Sequence, residues 1–236
     1  MGAILKRELG SYFNSAIAYI VMAVFFGFAG YFFVMTCFIS NTSSLSYTYS
    51  NIFVIIIFLT PIISMKTFSE EKRQRTDQAL FTSPSNLFEI VLGKFLGAFI
   101  LYGICCLIFF VFGLVIQMFT PANWPVIICT NIGLLLLGGA LIAIDVFISA
   151  LTESQVIAAV VGMAVGVMTY MLSSLVSMTS SSVPWLSNAI NAVSFTNYYQ
   201  NFTYGILDLT GVIFFLSVIA LFIFFTIRVF EKKRWS

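Results

Sequence analysis

Lys66-Thr-Phe-Ser-Glu-Glu-Lys-Arg-Gln-Arg-Thr-Asp-Gln-Ala-Leu-Phe-Thr-Ser-Pro-Ser-Asn-Leu-Phe-Glu-Ile-Val-Leu-Gly-Lys94 is a polar island in a chain that is otherwise almost wholly apolar. It carries five of the eleven Lys and Arg residues (Lys66, Lys72, Arg73, Arg75, Lys94) and four of the nine Asp and Glu residues (Glu70, Glu71, Asp77, Glu89). Thr67 and Glu70 have capping-box spacing, in which the hydroxyl accepts one orphan amide and the carboxylate returns to another. A helix is expected to start there. Glu70 and Glu71 suit the positive end of its dipole, the basic residues follow, and Pro84 cannot continue it. Asn86 with Glu89 repeats the cap ahead of the next apolar run. The stretch reads as one short helix held between two membrane spans.

Composition supports the membrane. The chain is 60% hydrophobic and 8% charged, against roughly 45–50% and about 25% for soluble domains. An all-α integral membrane protein is expected. A net charge of +2, with the charges confined to loops, argues against nucleic acid. Histidine is absent, which removes His-based acid–base catalysis, His-ligated metal and the zinc-protease signature together. Cys37, Cys105, Cys106 and Cys129 fall in apolar spans without metal-ligand spacing and read as ordinary buried residues.

Six stretches are long enough to cross a hydrocarbon core of about 30 Å, which takes roughly 20 helical residues. They lie at 16–39, 47–66, 87–118, 126–151, 153–177 and 211–231. Pro61 is expected to kink the second, and the over-long third to tilt or project. Residues 1–14 place Met1, Leu5, Leu9, Tyr12 and Phe13 on one helical face opposite Lys6, Arg7, Gly10, Ser11 and Asn14, as suits an interfacial helix. The loops 40–46, 119–125 and 178–210 contain no Lys or Arg, so every basic residue lies on one side. The positive-inside rule then puts both termini and residues 67–86 in the cytoplasm.

Thr152 and Gln155, at capping-box spacing, turn the fourth span tightly into the fifth. The long outer segment 180–208 is expected to hold a short surface helix or re-entrant pair, with Trp185, Tyr198, Tyr199 and Tyr204 at headgroup level. Gly93/Gly97 and Gly162/Gly166 are small-residue pairs at a spacing that permits close helix approach.

Three motifs together, Thr67-Phe-Ser-Glu-Glu-Lys-Arg73, Leu80-Phe-Thr-Ser-Pro84 and Ile90-Val-Leu-Gly-Lys94, resemble the coupling-helix region of ABC-2 type transporter permeases, most closely those of the gliding-motility type. Gly205-Ile-Leu-Asp208, the apolar run from Gly211, and Arg228 through Trp235 resemble the same family's last span and tail. The chain departs from the family pattern at Arg75-Thr76, where Gly-Thr is usual, and at Asp145, where a small residue is common. The resemblance implies six transmembrane helices, an elbow helix at 1–14, and a coupling helix at 68–82 between the second and third spans. It assigns ATPase coupling to Phe68, Glu70, Glu71, Arg73, Arg75, Leu80 and Phe81. It further implies a separate ATPase partner that binds the ATP and Mg, a second permease subunit, identical or paralogous, and a place in the bacterial cytoplasmic membrane.

The residues fit such a non-catalytic subunit. No G-x-x-x-x-G-K-[ST] loop occurs, so ATP-driven work requires another chain. No cofactor or metal ligand set is visible. Asp145 is the one acid well inside a predicted span, where burial costs roughly 2.5 kcal/mol or more. Lys94 lies at similar depth on the third span, so a Lys94–Asp145 pair is the expected structural solution, with a role in substrate passage as the other. An ATP-independent secondary carrier is the competing function, to which only Asp145 and Pro61 point. A membrane hydrolase lacks a nucleophile–base pair.

Overall fold

The computed structural model describes residues 2–40, 42, 44–73, 86–179 and 191–235, and every extended element among them is helical. They are α1 (Gly2–Phe13), α2 (Ala16–Phe33), α3 (Ser46–Ser64), α4 (Lys66–Arg73), α5 (Leu87–Cys106), α6 (Ile108–Phe119), α7 (Trp124–Leu151), α8 (Gln155–Thr179), α9 (Phe195–Thr203) and α10 (Leu209–Trp235). A π-helical turn, Val34–Ile39, extends α2. Six stretches have the length and apolarity to span a membrane: Ala16–Ile39, Ser46–Arg73, Leu87–Phe119, Trp124–Leu151, Gln155–Leu172 and Leu209–Lys232.

The fourth span, α7, is the hub. In its most apolar stretch 78% of residues are buried, against 28% in the first span, 22% in the fifth and 17% in the sixth, which therefore face outward. α3, α5, α8, α9 and α10 all pack on α7. Lipid is as apolar as leucine, so close fit rather than the hydrophobic effect must hold these helices together. Gly138 lies directly under the Tyr102 ring, where no Cβ could stand, and the Tyr102 hydroxyl donates to the Leu134 carbonyl at 2.8 Å. Towards the other end, Phe33 stacks on Phe112 and Tyr49 on Phe109, each at 4.3 Å, tying the first, second and third spans together.

Several local expectations are revised. The third span is broken at Leu107 into α5 and α6, and Asn131 on α7 donates to the Cys106 carbonyl freed there, at 3.3 Å. α5 opens after Asn86, but the Asn86 side chain makes no capping bond. At the α7–α8 turn the hydroxyl near the new helix start is that of Ser154, 3.5 Å from Ile157 N, whereas Thr152 turns back to the Ile148 carbonyl. Tyr199 faces into the bundle: it is 1% exposed, and its hydroxyl donates to the Tyr49 carbonyl. Tyr204 is 71% exposed, and Trp185 lies outside the described residues. Cys105, Cys106 and Cys129 are buried, and Cys37 is half-buried.

Candidate functional site

The charged end of the bundle is built around α4, which follows α3 after the single turn residue Met65. A helix start leaves four amides without helical partners. Here the cap comes from another span: Ser149 Oγ on α7 accepts the backbone N–H groups of Phe68 and Ser69, each at 3.1 Å, and donates to the Met65 carbonyl at 3.2 Å. Thr67, the expected cap, is buried, and its hydroxyl meets that of Tyr12 instead. Beside Ser149, the Ala150 carbonyl accepts Lys72 Nζ. Two consecutive residues near the end of α7 thus grip both turns of α4.

Lys94 on α5 approaches α4 from a second side. Its ammonium is 2% exposed, and its three protons are used in full: Glu71 Oε1 at 2.9 Å, Glu8 Oε1 at 3.1 Å and the Thr67 carbonyl at 2.8 Å. Arg7 closes the cluster, 3.1 Å from Glu8 and 3.4 Å from Glu71. Two cations face two anions, so the cluster is balanced, and the buried ammonium also lies 5.2 Å from the Phe68 ring centroid. The Phe68 ring in turn packs on Phe230 of α10 at 4.6 Å.

The close approach of α1 depends on glycine. A Cβ at Gly93 would stand 3.0 Å from Ile4 Cγ2, and one at Gly97 would stand 3.0 Å from Glu8 Cβ. The small pair on α5 therefore seats α1, which puts Glu8 beside Lys94. The Tyr12 hydroxyl then donates to the Ile63 carbonyl at 3.1 Å, and burial pushes this phenol up to about 12, so it stays protonated at physiological pH.

The residues expected to serve coupling separate into groups. Phe68 is 2% exposed and supports α4 from beneath, so it has no surface to offer a partner. Glu71 belongs to the internal ion cluster, Glu70 is half-buried and Arg73 is exposed. Arg75, Leu80 and Phe81 lie outside the described residues. The structure does not bring Lys94 and Asp145 together: Lys94 turns to Glu71 and Glu8, and Asp145 faces Pro61 and Gly162. Sequence reasoning passed over Glu8, Tyr12 and Ser149. Glu8 had left a signal, because it falls within the apolar stripe of α1 between Leu5 and Tyr12, where an acid needs a partner.

Six candidate spans, with a short helix clamped to the end of the bundle by three of them and by α1, fit a multi-pass membrane protein. Residues 40–229 match the family model for ABC-2 family transporter proteins, and the chain belongs to that family as a transporter permease component. The match takes in α3 through most of α10; α1 and α2 precede it. No curated protein matches the chain.

Proposed function

We propose that this chain is the membrane subunit of an ATP-driven ABC-2 type exporter of the gliding-motility kind, coupling ATP hydrolysis in a separate ATPase to substrate movement. The observation that carries the reading is the Glu71–Lys94–Glu8 cluster, since a helix that receives a push must be rigidly joined to the spans it is to move. α4 is so joined to α5 by Lys94, to α7 by Ser149 and Ala150, to α10 by Phe68, and to α1 by Glu8 and Arg7. Exposed Arg73 and half-buried Glu70 are surface offered to the ATPase, which binds ATP and Mg; Arg75, Leu80 and Phe81 take the same role on the family resemblance alone. Two permease subunits, identical or paralogous, enclose the path in the bacterial cytoplasmic membrane with both termini inside. Nucleotide drives the cycle by its differential affinity for the closed ATPase pair.

The test is co-purification with the ATPase, followed by substrate-stimulated ATP turnover in lipid. Arg73→Glu and Phe81→Ala should each lower ATPase retention while leaving the permease as heat-stable as the wild type. Glu71→Lys should uncouple turnover from transport, and Gln74→Ala should change little. Normal retention and normal stimulation in Arg73→Glu, Phe81→Ala and Glu71→Lys alike would sink the reading.

A further inference from the structure

The fifth span meets the second and fourth at its glycine pair. A Cβ at Gly162 would stand 2.5 Å from Asp145 Oδ1 and 3.0 Å from Pro61 Cβ, and one at Gly166 would stand 2.8 Å from Ile57 Cγ2. The backbone of α8 therefore lies directly over the Asp145 carboxyl, which is 5% exposed. Thr60 supplies a side-chain hydrogen bond. Among the described residues Asp145 Oδ2 has no partner, and neither does the Ser64 hydroxyl one turn further along α3. Pro61 lacks an N–H, so the Ile57 carbonyl four residues back also loses its helical donor. Polar atoms outnumber their partners at this one sealed junction of three spans.

Among the described residues no charge offsets the carboxyl. Among the titratable groups on the elements packed against α7, α5 brings Glu89 and Lys94, the latter committed to Glu8, Glu71 and the Thr67 carbonyl. α4 brings Lys66, Glu70, Glu71, Arg73 and Lys72, whose ammonium goes to the Ala150 carbonyl. α10 brings Lys232 and the pair Arg228–Glu231 at 2.7 Å, while α3, α8 and α9 bring only tyrosines. Among the described residues none forms an ion pair with Asp145. A carboxylate stripped of water without a counter-charge is costly, and a group so placed neutralises instead.

We propose that Asp145 is a proton-exchange site, holding a proton while α8 is seated on Pro61 and releasing it when α8 lifts away. In that step the carboxyl O–H bond breaks, the proton passes to admitted water and the carboxylate remains; reseating reverses it. The seated form binds one more proton than the separated form, so acid favours seating and alkali favours separation. This device is distinct from ATPase coupling and does not rest on it.

The probe is dicyclohexylcarbodiimide, an apolar reagent that adds to protonated carboxyls, applied to the full chain in lipid vesicles. The readout is the mass of the fragment 124–152, in which Asp145 is the one acid. Labelling should persist at about pH 7, where an ordinary carboxyl is protonated to less than about one part in a hundred, and Asp145→Asn should abolish it. Gly162→Ala wedges α8 away and should move the pH midpoint of labelling down. Thr60→Val removes a donor to the carboxylate and should move it up. A wild-type midpoint in the ordinary range near ~4, or no labelling at about pH 7, overturns the proposal. Unchanged midpoints in both variants would likewise overturn it, by showing that the α8 seat does not control the proton.

Discussion

Ser149, near the end of the fourth span, holds the backbone amide of Phe68, the third residue of α4, at 3.1 Å, and through the same oxygen that of Ser69. One hydroxyl thereby joins two helices that are eighty residues apart in sequence. Ser149→Ala strands two buried amides, while the Met65 carbonyl keeps the Ser69 hydroxyl. Unmade bonds of this kind cost about 1–3 kcal/mol each when fully desolvated, and a lost cap typically costs about 1 kcal/mol. The expected outcome is a lower melting temperature in detergent together with weaker coupling of ATP turnover. Equal melting temperatures for Ser149→Ala and the wild type would refute the cap.

The partners of Lys94 can be separated by double-mutant cycles. Removing one member of a buried ion pair costs roughly 3–5 kcal/mol because the other is left uncompensated. Lys94→Met should therefore be strongly destabilising, and the further change Glu71→Gln should cost less than it does alone. Lys94→Met combined with Asp145→Asn should be additive, as for groups that share no partner. Thermal unfolding of the set decides it; an additive Lys94/Glu71 pair would remove the cluster from the account.

Asp208 predicts an acid sensitivity at the opposite end of the bundle. The Asn201 side chain donates to its carboxylate at 3.0 Å and the Thr210 amide at 2.9 Å, and these bonds hold the carboxyl below its usual range. A carboxyl depressed in the folded state contributes stability above its unfolded pKa, near ~4, and loses it as pH falls through the folded value. Asp208→Asn should lower the melting temperature at neutral pH and flatten the acid limb, so that variant and wild type converge in acid. An unchanged acid limb would show that the two bonds do not outlast the fold's other contacts.

Orientation is open to direct labelling. In a cysteine-free background, cysteines at Ser44 and Ser181 should react with an impermeant thiol reagent on intact cells, and one at Gln74 should not. External labelling at Gln74 would reverse the topology.

The spans were legible because membrane thickness imposes a length on every apolar run. The clamp was not, for reasons of direction. Lys94 and Asp145 were matched by depth alone, but depth says nothing about which way a side chain faces around its helix. Gly93 and Gly97 on the same helix seat Ile4 and Glu8, which turns the adjoining Lys94 towards α1 and α4. Thr67 had the spacing of a cap, yet a local hydroxyl loses to a remote one when packing delivers Ser149 to the same amides. Tyr199 followed the aromatic-belt tendency in composition, but its hydroxyl found the Tyr49 carbonyl inside the bundle.

The one-residue interruption at Leu107, whose backbone stays right-handed helical, divides the third span into two stretches with separate fastenings. One stretch, α5, carries Lys94 and is bolted to the ion cluster, whereas the other, α6, stacks its aromatic rings on the first and second spans. Asn131 holds the interruption from the side, at the Cys106 carbonyl. The two ends of the third span are thus fastened to different neighbours, α5 to the ion cluster and α6 to the first and second spans.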